Sequence, residues 1–580
     1  MALKDSMSST YPGVKSPISI GLAIVLSLTT IFSIYWFTTQ SAISLLDGAD
    51  RQAPEAAVLV PNDAPLMVSL LTEPDRLQRL RRLRTGLRQR PHLQAEFEAI
   101  EQSLLTDTEL TYERDIQPWL GDEVTLAVTA LDRDRNPDNG SQPGYLVALS
   151  IADVERSREF LDAYWVNKAV SGREIQTEEY NGVQTIYSKR TYRPKSLTAR
   201  DFNPFAKANA GEWASAIVGS RFVLFANDPD VLRQAINNVQ VPELSLQSTE
   251  AYRAALDRLT DRRIALVVAN LAALDSDDLT AASNLPQTIA AAIAIDPAGP
   301  LFDILWRDNA ERPDTAPALA SLPGALDYIP KDAAIALSGA DLTARWSQLS
   351  EALSSGGALT TSLSRAIASL ENDWGITLGS DIFNWTDGEF ALGLLPGEGD
   401  KGADWVFVTQ TNDEAKSAVA HLDEVAAARG YTASPFSLRE SGRVFAWTKL
   451  KPTTDISSSG GPRLRLEPDV LGVHGELEGY EILASSIAAI DAAFSAPFDG
   501  DIRQQDGFAT GREVLGEAND GYLYLDWETG KTTIEQQFPI LRLVELFARP
   551  VFDRLQSVAT STYGREGDLN RARALLRFES

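Results

Sequence analysis

The chain contains the same short pattern twice. Residues 113–124 read ERDIQPWLGDEV and residues 379–390 read GSDIFNWTDGEF, so an Asp-Ile pair, a tryptophan, a turn and an acidic residue recur 266 positions later. A pattern repeated over this distance predicts that one structural unit is built twice. This duplication constrains the fold more than any other feature of the sequence.

Other segments repeat in the same order around the two motifs. They are VPNDAPLMVSL (from 60) and IPKDAAIALSG (329), YLVALSIADVERSREFLDAYW (145) and WVFVTQTNDEAKSAVAHLDEVA (405), and RFVLFANDPDVLRQAI (221) and GYEILASSIAAIDAAF (479). A chain of 580 residues is also too long for one ordinary hydrophobic core. We predict two related copies at 57–312 and 322–580, joined by a linker at 313–321.

Within each copy, apolar runs alternate with turn-forming sequences such as DNGSQPG and YNGV. Turns of this kind join neighbouring strands into antiparallel hairpins. Longer periodic segments between the strands predict amphipathic helices. We therefore expect the α+β class, with an N-terminal single transmembrane helix and two tandem related domains, each a mostly antiparallel sheet with packed helices.

The repeated motif has a structural interpretation. Asp115 and Asp381 are expected to cap a short helical turn by accepting its free backbone N–H groups. Trp119 and Trp385 follow four residues later and are expected to bury their rings against the sheet. Alternatively, each aspartate forms an acid–base pair with the glutamate of the following strand. The two copies share no further polar residue, which favours the structural role.

Composition excludes several classes of function. The formal net charge of −27 disfavours binding to nucleic acid, whose phosphates a strongly acidic surface repels. The chain has no cysteine, which excludes disulfides, cysteine zinc sites and thiol nucleophiles. Its three histidines, His92, His421 and His474, lie in unrelated segments. We expect them at the surface or at the boundary of the core.

An apolar run precedes the first copy. Residues Ile18 to Phe37 carry no charge and match the roughly 20 residues that span a hydrocarbon core of about 30 Å. Two lysines precede the run and two aspartates follow it, which predicts a cytoplasmic N-terminus. The predicted order is a cytoplasmic segment (1–17), a transmembrane anchor (18–37) and a tether (38–56), with the rest across the membrane. A cleaved signal peptide is the alternative.

The arrangement resembles a mainly cyanobacterial family of membrane-anchored proteins of unknown function. The resemblance is carried by the N-terminal apolar run and by VPNDAPLMVSL, YERDIQPWLGDEVTLAV and GYLVALSIADVERSREFLDAYW. It covers nearly all of the chain beyond the anchor. It implies a large domain in the periplasm or the thylakoid lumen, and it brings no reaction, cofactor or catalytic residue.

One loop has the pattern of a calcium site. In DRDRNPDNG, oxygen-bearing side chains alternate with other residues at Asp132, Asp134, Asn136 and Asp138. However, Pro137 stands where an EF-hand needs glycine, and two arginines reduce the negative charge of the loop. A polar hairpin loop is the alternative. Calcium is the one cofactor that the sequence leaves open.

A basic amphipathic helix is predicted at residues 76–90. Four leucines form one stripe, and the rest of the surface carries the arginines Arg76, Arg79, Arg81, Arg82, Arg84, Arg88 and Arg90. The matching stretch of the second copy has a helical pattern with only two arginines, so the fold needs a helix here but not a basic one. The arginines are candidates for docking anionic lipid or a membrane protein complex. Alternatively, they pair with nearby acidic residues.

These features predict a membrane-anchored, non-enzymatic interaction or scaffold protein of the periplasm or thylakoid lumen, in a role such as assisting a membrane complex. No catalytic or cofactor-binding constellation is recognisable in the sequence. Two alternatives remain open: a carboxylate-dependent hydrolase with a cleft between the copies, and a binding module for an apolar ligand.

Overall fold

In a computed structural model, the chain forms one antiparallel β-sheet with helices on both faces. The structure describes residues 53–71, 108–134, 142–188, 213–259, 261–270, 288–307, 315–343, 377–396, 403–438, 443–455, 463–531 and 554–579, together with single residues at 105, 273, 346, 368 and 371.

The first half contributes ten strands and three α-helices to the described residues. In chain order they are β1 (Leu66–Leu70), β2 (Leu120–Ala130), β3 (Gly144–Ile151), α1 (Val154–Val170), β4 (Ile175–Tyr180), β5 (Val183–Ser188), β6 (Ala214–Val218), β7 (Phe222–Ala226), α2 (Pro229–Gln240), α3 (Glu250–Arg258), β8 (Ala265–Asn270), β9 (Thr288–Asp296) and β10 (Gly299–Arg307).

The second half contributes the same number of each. They are β11 (Ile335–Ala340), β12 (Glu389–Leu395), β13 (Asp404–Gln410), α4 (Asp413–Ala428), β14 (Thr432–Ser437), β15 (Arg443–Asp455), β16 (Arg463–Leu477), β17 (Tyr480–Ala484), α5 (Ile487–Asp499), α6 (Asp506–Leu515), β18 (Gly521–Asp526), β19 (Leu555–Glu566) and β20 (Leu569–Phe578).

The two halves have the same strand order. In the first half the strands lie side by side as β4-β5-β6-β7-β3-β2-β1-β8-β9-β10. In the second half the order is β14-β15-β16-β17-β13-β12-β11-β18-β19-β20. Each strand of one half thus has a counterpart ten numbers later in the other. Every pairing between these strands is antiparallel.

The halves meet where β10 pairs with β20. Asp303 and Arg573, each the fifth residue of its strand, lie directly opposite one another, so a local two-fold axis passes between them. The pairing needs a glycine at the start of β10, because a Cβ on Gly299 would lie 2.1 Å from the carbonyl oxygen of Leu576. This contact unites twenty strands into one sheet.

A buried ion pair lies on this joint. Asp303 is 2% exposed, and its carboxylate accepts hydrogen bonds from Nε of Arg571 at 2.9 Å and from Nη2 at 2.5 Å. The hydrogen bond to Asp303 raises the pKa of Arg571, against the desolvation that lowers it. A second pair, between Arg573 and Asp261 at 3.2 Å, lies nearer to solvent. Ionic contacts therefore cross the joint at two depths.

Helices cover both faces of the sheet. In the first half, α2 and α3 pack on one face against residues such as Leu146, and α1 packs on the other face against residues such as Val147. In the second half, α5 and α6 occupy the first of these faces and α4 the second. Alternate side chains of the central strands thus enter two different cores, which explains their nearly continuous apolar sequences.

Each of these six helices begins after a side chain that accepts a backbone N–H of its first turn. This N-capping satisfies a donor that has no partner inside the helix. The capping residues are Asp153, Asp228, Thr249, Asn412, Ser486 and Gln505.

The predicted fold class is wrong in two respects, although the expected antiparallel strands are present. Both halves belong to one 20-stranded sheet with few helices, rather than to two tandem domains that each have their own sheet. The sequence repeat could not reveal the joint, because joining depends on contacts between residues 268 positions apart.

The predicted transmembrane helix is the second correction. Ile18 to Phe37 lie outside the described residues. In the part of the chain that the structure describes, no helix is long and apolar enough to cross a membrane. The predictions of a transmembrane anchor and of a single-pass membrane protein, with a cytoplasmic N-terminus and a periplasmic or lumenal remainder, are therefore not supported and are withdrawn.

The ion pair at the joint gives a first prediction. Replacing Asp303→Ala leaves the Arg571 guanidinium without its carboxylate, and we expect the free energy of unfolding to fall by about 2 kcal/mol. Asp261→Ala is the matched control, because its pair with Arg573 is half exposed, and it should cost less than about 1 kcal/mol. Urea unfolding followed by tryptophan fluorescence measures both. Equal losses for the two variants would contradict the structural role given to Asp303.

Candidate functional site

The repeated motif of the first half forms a single π-helical turn, Tyr112–Ile116. The Asp115 carboxylate accepts the backbone N–H of Thr111 at 2.7 Å, and the indole N–H of Trp119 donates to the Asp115 carbonyl at 2.7 Å. Desolvation raises the pKa of Asp115, but hydrogen bonds from Arg114 and Thr111 outweigh it and hold this pKa below its ordinary value. Trp119 is 1% exposed, so its ring belongs to the core.

The second copy repeats this geometry. A π-helical turn spans Leu378–Ile382, the Asp381 carboxylate accepts the backbone N–H of Thr377 at 2.8 Å, and the Trp385 indole N–H donates to the Asp381 carbonyl at 2.7 Å. Trp385 is 6% exposed. In both halves the aspartate and the tryptophan therefore tie the turn to itself and to the sheet.

The glutamate of the following strand has a separate structural partner. The Glu123 carboxylate accepts the backbone N–H groups of Glu55 at 2.8 Å and Ala56 at 3.0 Å, at the start of a short 3-10 turn. Burial raises the pKa of Glu123, although these N–H groups lower it. In the second half, Glu389 accepts the N–H of Gly324 at 3.1 Å, at the start of the equivalent turn. Both carboxylates hold a neighbouring segment against the sheet.

The predicted calcium loop is described only in part. Asp132 Oδ1 accepts the backbone N–H of Gln142 at 3.0 Å, which closes the hairpin between β2 and β3. Asp134 is described, whereas Asn136 and Asp138 lie outside the described residues. No group of three or more acidic or histidine side chains within the described ranges is arranged to hold a metal ion. Calcium binding therefore stays a prediction.

The basic segment is not described. All seven of its arginines, Arg76, Arg79, Arg81, Arg82, Arg84, Arg88 and Arg90, fall in the range 72–100, outside the described residues. Their docking to lipid or to a protein complex stays a prediction as well.

The second half contains a buried histidine between two carboxylates. His474 is 6% exposed, with Nε2 lying 3.2 Å from Asp423 Oδ1 and Nδ1 lying 3.5 Å from Glu481 Oε1. Its ring stacks on Phe445 at a centroid distance of 5.4 Å, and the Trp447 ring lies equally close. We call His474, Asp423 and Glu481 the His474 cluster.

The first half has different residues at the same three positions. The strand registers, and for α1 and α4 the helix C-termini with the positive-φ glycines Gly172 and Gly430 that follow them, define the equivalences between the two halves. The counterparts of Asp423, His474 and Glu481 are Trp165, Ser215 and Val223, which are all buried, and the Trp165 indole N–H donates to Ser215 Oγ at 2.7 Å. The shared frame therefore does not require the His474 cluster, and this difference marks it as a candidate functional feature.

The sequence did not predict this cluster. The side chain of His421 is 57% exposed, as expected for a surface histidine, but His474 lies in the interior. Its partners come from α4 and β17, so no local spacing reveals them. The signal that was available is a position-by-position alignment of the two copies, in which serine and valine become histidine and glutamate.

Strands β15 and β16 extend beyond their neighbours as a two-stranded arm. β14 pairs with β15 only as far as Thr448, and β17 pairs with β16 only from Val473 onward. Among the described residues, 449–455 and 463–469 therefore pair only with each other, and we call them the arm. At about 3.3 Å per residue, the arm is about 20 Å long.

One face of the arm is apolar and exposed. Leu450 lies opposite Pro468, and Pro452 lies opposite Leu466, so all four side chains project from the same face. All four are exposed, with Leu450 at 64% and Leu466 at 57%. Contiguous apolar groups at such exposure are typical of interaction sites.

Two prolines block the outer edges of the arm. Pro452 and Pro468 have no N–H, so their register pairs are of the non-hydrogen-bonded kind, whose N–H positions face outward. One proline thus stands on each outer edge, where it removes a donor that another strand would need. The arm is suited to contact through its apolar face rather than by strand addition.

The arm is held at its base by α4 and the residues that follow it. The Trp447 indole N–H donates to Asp423 Oδ1 at 2.6 Å. Further along, Asp469 Oδ2 accepts from the Tyr431 hydroxyl at 2.7 Å and lies 2.7 Å from Lys451 Nζ. The hydrogen bonds from Lys451 and Tyr431 lower the pKa of Asp469. Asp423 therefore belongs both to the His474 cluster and to the base of the arm.

Comparison with known proteins identifies the family. The family model DUF3352, described as a protein of unknown function, matches residues 19–578. The chain belongs to the DUF3352 family. The expected resemblance to a family of unknown function is confirmed, and the match carries no information about a cyanobacterial distribution. A comparison of this DUF3352 chain with curated protein sequences finds no match.

Among solved structures, crystal form I of TP0453 matches the DUF3352 chain. The TM-score is 0.20 and the sequence identity 8%, over 46% of this chain and 83% of that chain. A likeness this weak carries no argument about fold or function.

The two tryptophans of the repeated motif give a second prediction. Trp119→Phe and Trp385→Phe keep a ring but remove the indole N–H, and each should lower the free energy of unfolding by about 1 kcal/mol. Trp119→Ala and Trp385→Ala also leave a cavity and should cost about 3–5 kcal/mol. Urea unfolding of the four variants provides the comparison. Alanine variants of unchanged stability would show that the rings do not support the fold.

Proposed function

We propose that this DUF3352 chain is a non-enzymatic interaction or scaffold protein whose arm docks onto another protein. The observation that carries the proposal is the exposed apolar face formed by Leu450, Pro452, Leu466 and Pro468 on a strand pair that extends beyond the sheet. The carboxylates of the repeated motif support it, because each accepts hydrogen bonds that hold the fold.

The shape and size of the arm favour a different protein over a second copy of this chain. Two copies that met arm to arm would join two protrusions and bury little beyond four side chains each. A stable interface buries about 800 Å² per partner. A groove on another protein surrounds the arm and covers its neighbours as well, so it reaches this area more readily.

Charge disfavours the other occupants. The chain carries a formal net charge of −27, which opposes contact with nucleic acid or with an anionic lipid surface. The partner that best fits is a protein with an apolar groove. No observation on the described residues specifically favours the hydrolase or the module for an apolar ligand.

The arm gives a third prediction. The double substitution Leu450→Ser with Leu466→Ser removes the apolar contact from two exposed positions, so it should leave stability unchanged within about 0.5 kcal/mol. A photo-crosslinker placed at Lys449 identifies the bound protein, which is then purified. We expect the double variant to bind it at least about tenfold more weakly, because each buried leucine contributes about 1.5–3 kcal/mol. Calorimetry on the full chain measures this affinity.

Matched controls separate the arm from other apolar surface. Val170→Ser removes a side chain that is 83% exposed on α1, and it should bind the partner like the unchanged chain. Equal affinity of the double variant and the unchanged chain would reject docking through the arm. Docking onto another protein would also be rejected if the unchanged chain sediments as a dimer and the double variant does not, because the face would then bind a second copy. It would likewise be rejected if the unchanged chain floats with anionic vesicles and the double variant does not, because the face would then bind lipid.

A further inference from the structure

The two ring nitrogens of His474 face carboxylates from two different elements. Asp423 approaches Nε2 from α4, and Glu481 approaches Nδ1 from β17. A neutral imidazole has one N–H and satisfies only one of these carboxylates, whereas an imidazolium donates to both. The arrangement therefore matches the protonated ring.

The two carboxylates differ in their other contacts. Asp423 also accepts the Trp447 indole N–H, and its side chain is 36% exposed. The Glu481 side chain is 6% exposed, and the contact described for its carboxylate is the one with His474 Nδ1. A neutral ring therefore keeps its one N–H on Nδ1 for the more buried Glu481, and the Nε2 lone pair then faces Asp423 Oδ1 with no N–H between them, which is costly.

The cluster lies at the base of the arm. His474 pairs with Phe445, and the irregularity between Trp447 and Thr448 marks where the arm begins. His474 and Trp447 contact the same oxygen of Asp423. A change in the charge of the ring therefore acts on the contact that joins the arm to α4.

We propose that His474 is a proton-responsive latch that fixes the arm to α4 when protonated and loosens it when neutral. As a regulator of partner binding, this inference rests on the function proposed above. Histidine is the side chain whose ordinary titration lies between pH 5 and 8. Loss of the ring proton to solvent removes the hydrogen bond to Asp423 and weakens docking through the arm.

Other charged groups around the cluster are paired or exposed. On α4, Lys416 pairs with Glu476 of β16 at 3.6 Å, and His421 lies 3.8 Å from Glu424 near solvent. On β15, the neighbours of the His474 ring are the aromatic side chains of Phe445 and Trp447. The charges that directly face the ring are thus the carboxylates of Asp423 and Glu481.

Hydrogen–deuterium exchange of the full chain tests the latch. Peptides covering 443–455 and 463–477 are followed at pH 6 and pH 8, with correction for the intrinsic pH dependence of exchange. We expect their protection to fall by about tenfold at pH 8, which corresponds to the loss of one hydrogen bond between charged groups. The peptides of α1 in the first half should not change in this way.

Two variants decide whether His474 is responsible. His474→Ser with Glu481→Val introduces the residues that the first half holds at these positions, so the frame accommodates them, and we expect protection that is independent of pH. His421→Gln removes the exposed histidine of α4 and should keep the full pH effect. The proposal is overturned if the unchanged chain shows no pH effect, if the double variant retains it, or if His421→Gln abolishes it.

This experiment needs no partner, so its result is independent of the docking experiment. If the protection of the arm depends on pH but crosslinking finds no bound protein, the latch is retained and the proposed function is rejected. A partner bound equally at pH 6 and pH 8 by an arm of constant protection would retain the proposed function and reject the latch.

Discussion

The antiparallel pairing of β10 with β20 is the contact that makes one sheet out of two halves. Without it, each half would expose a long edge strand, and free edges pair readily with other chains. The outer ends of the sheet are protected differently: β4 carries Glu178 and Glu179, and β14 carries Pro435, which cannot donate a hydrogen bond. The Asp303–Arg571 pair is the buried one of the ionic contacts that cross this joint, and it favours one register over its neighbours.

The common frame and the features specific to one half have separate roles. The π-helical turns, their tryptophans and the two strand glutamates, Glu123 and Glu389, recur with nearly the same distances, so they serve the fold. The His474 cluster is built on that frame by side chains that the first half replaces with Trp165, Ser215 and Val223. Function is therefore sought where the halves differ, because a residue required in both copies is explained by architecture.

Part of this structure could be predicted from the sequence. The turn signals and apolar runs indicate antiparallel strands, and the two quoted motifs occupy equivalent places in the halves. The union of the two sheets could not be predicted, since the sequences of β10 and β20 do not distinguish a strand that joins the halves from any other strand of the sheet. The His474 cluster could not be predicted either, because Asp423 and Glu481 lie 51 and seven residues from His474 in the sequence. The three side chains meet only after α4 packs on the sheet. Local spacing predicts helices and turns, but it does not predict which side chains meet across elements.

The local two-fold axis at the joint has a consequence for the origin of the chain. Contacts of equivalent residues across such an axis are those of a symmetric homodimer. A polypeptide comprising one half would meet a copy of itself through the same edge, at a strength set by its concentration. When two such polypeptides are fused into one chain, the pairing of the two edge strands becomes intramolecular and occurs at a high effective concentration. The two edges then no longer have to be identical and self-complementary. Asp303 and Arg573 show the difference: they face each other from equivalent positions with opposite charge, which two identical polypeptides could not do.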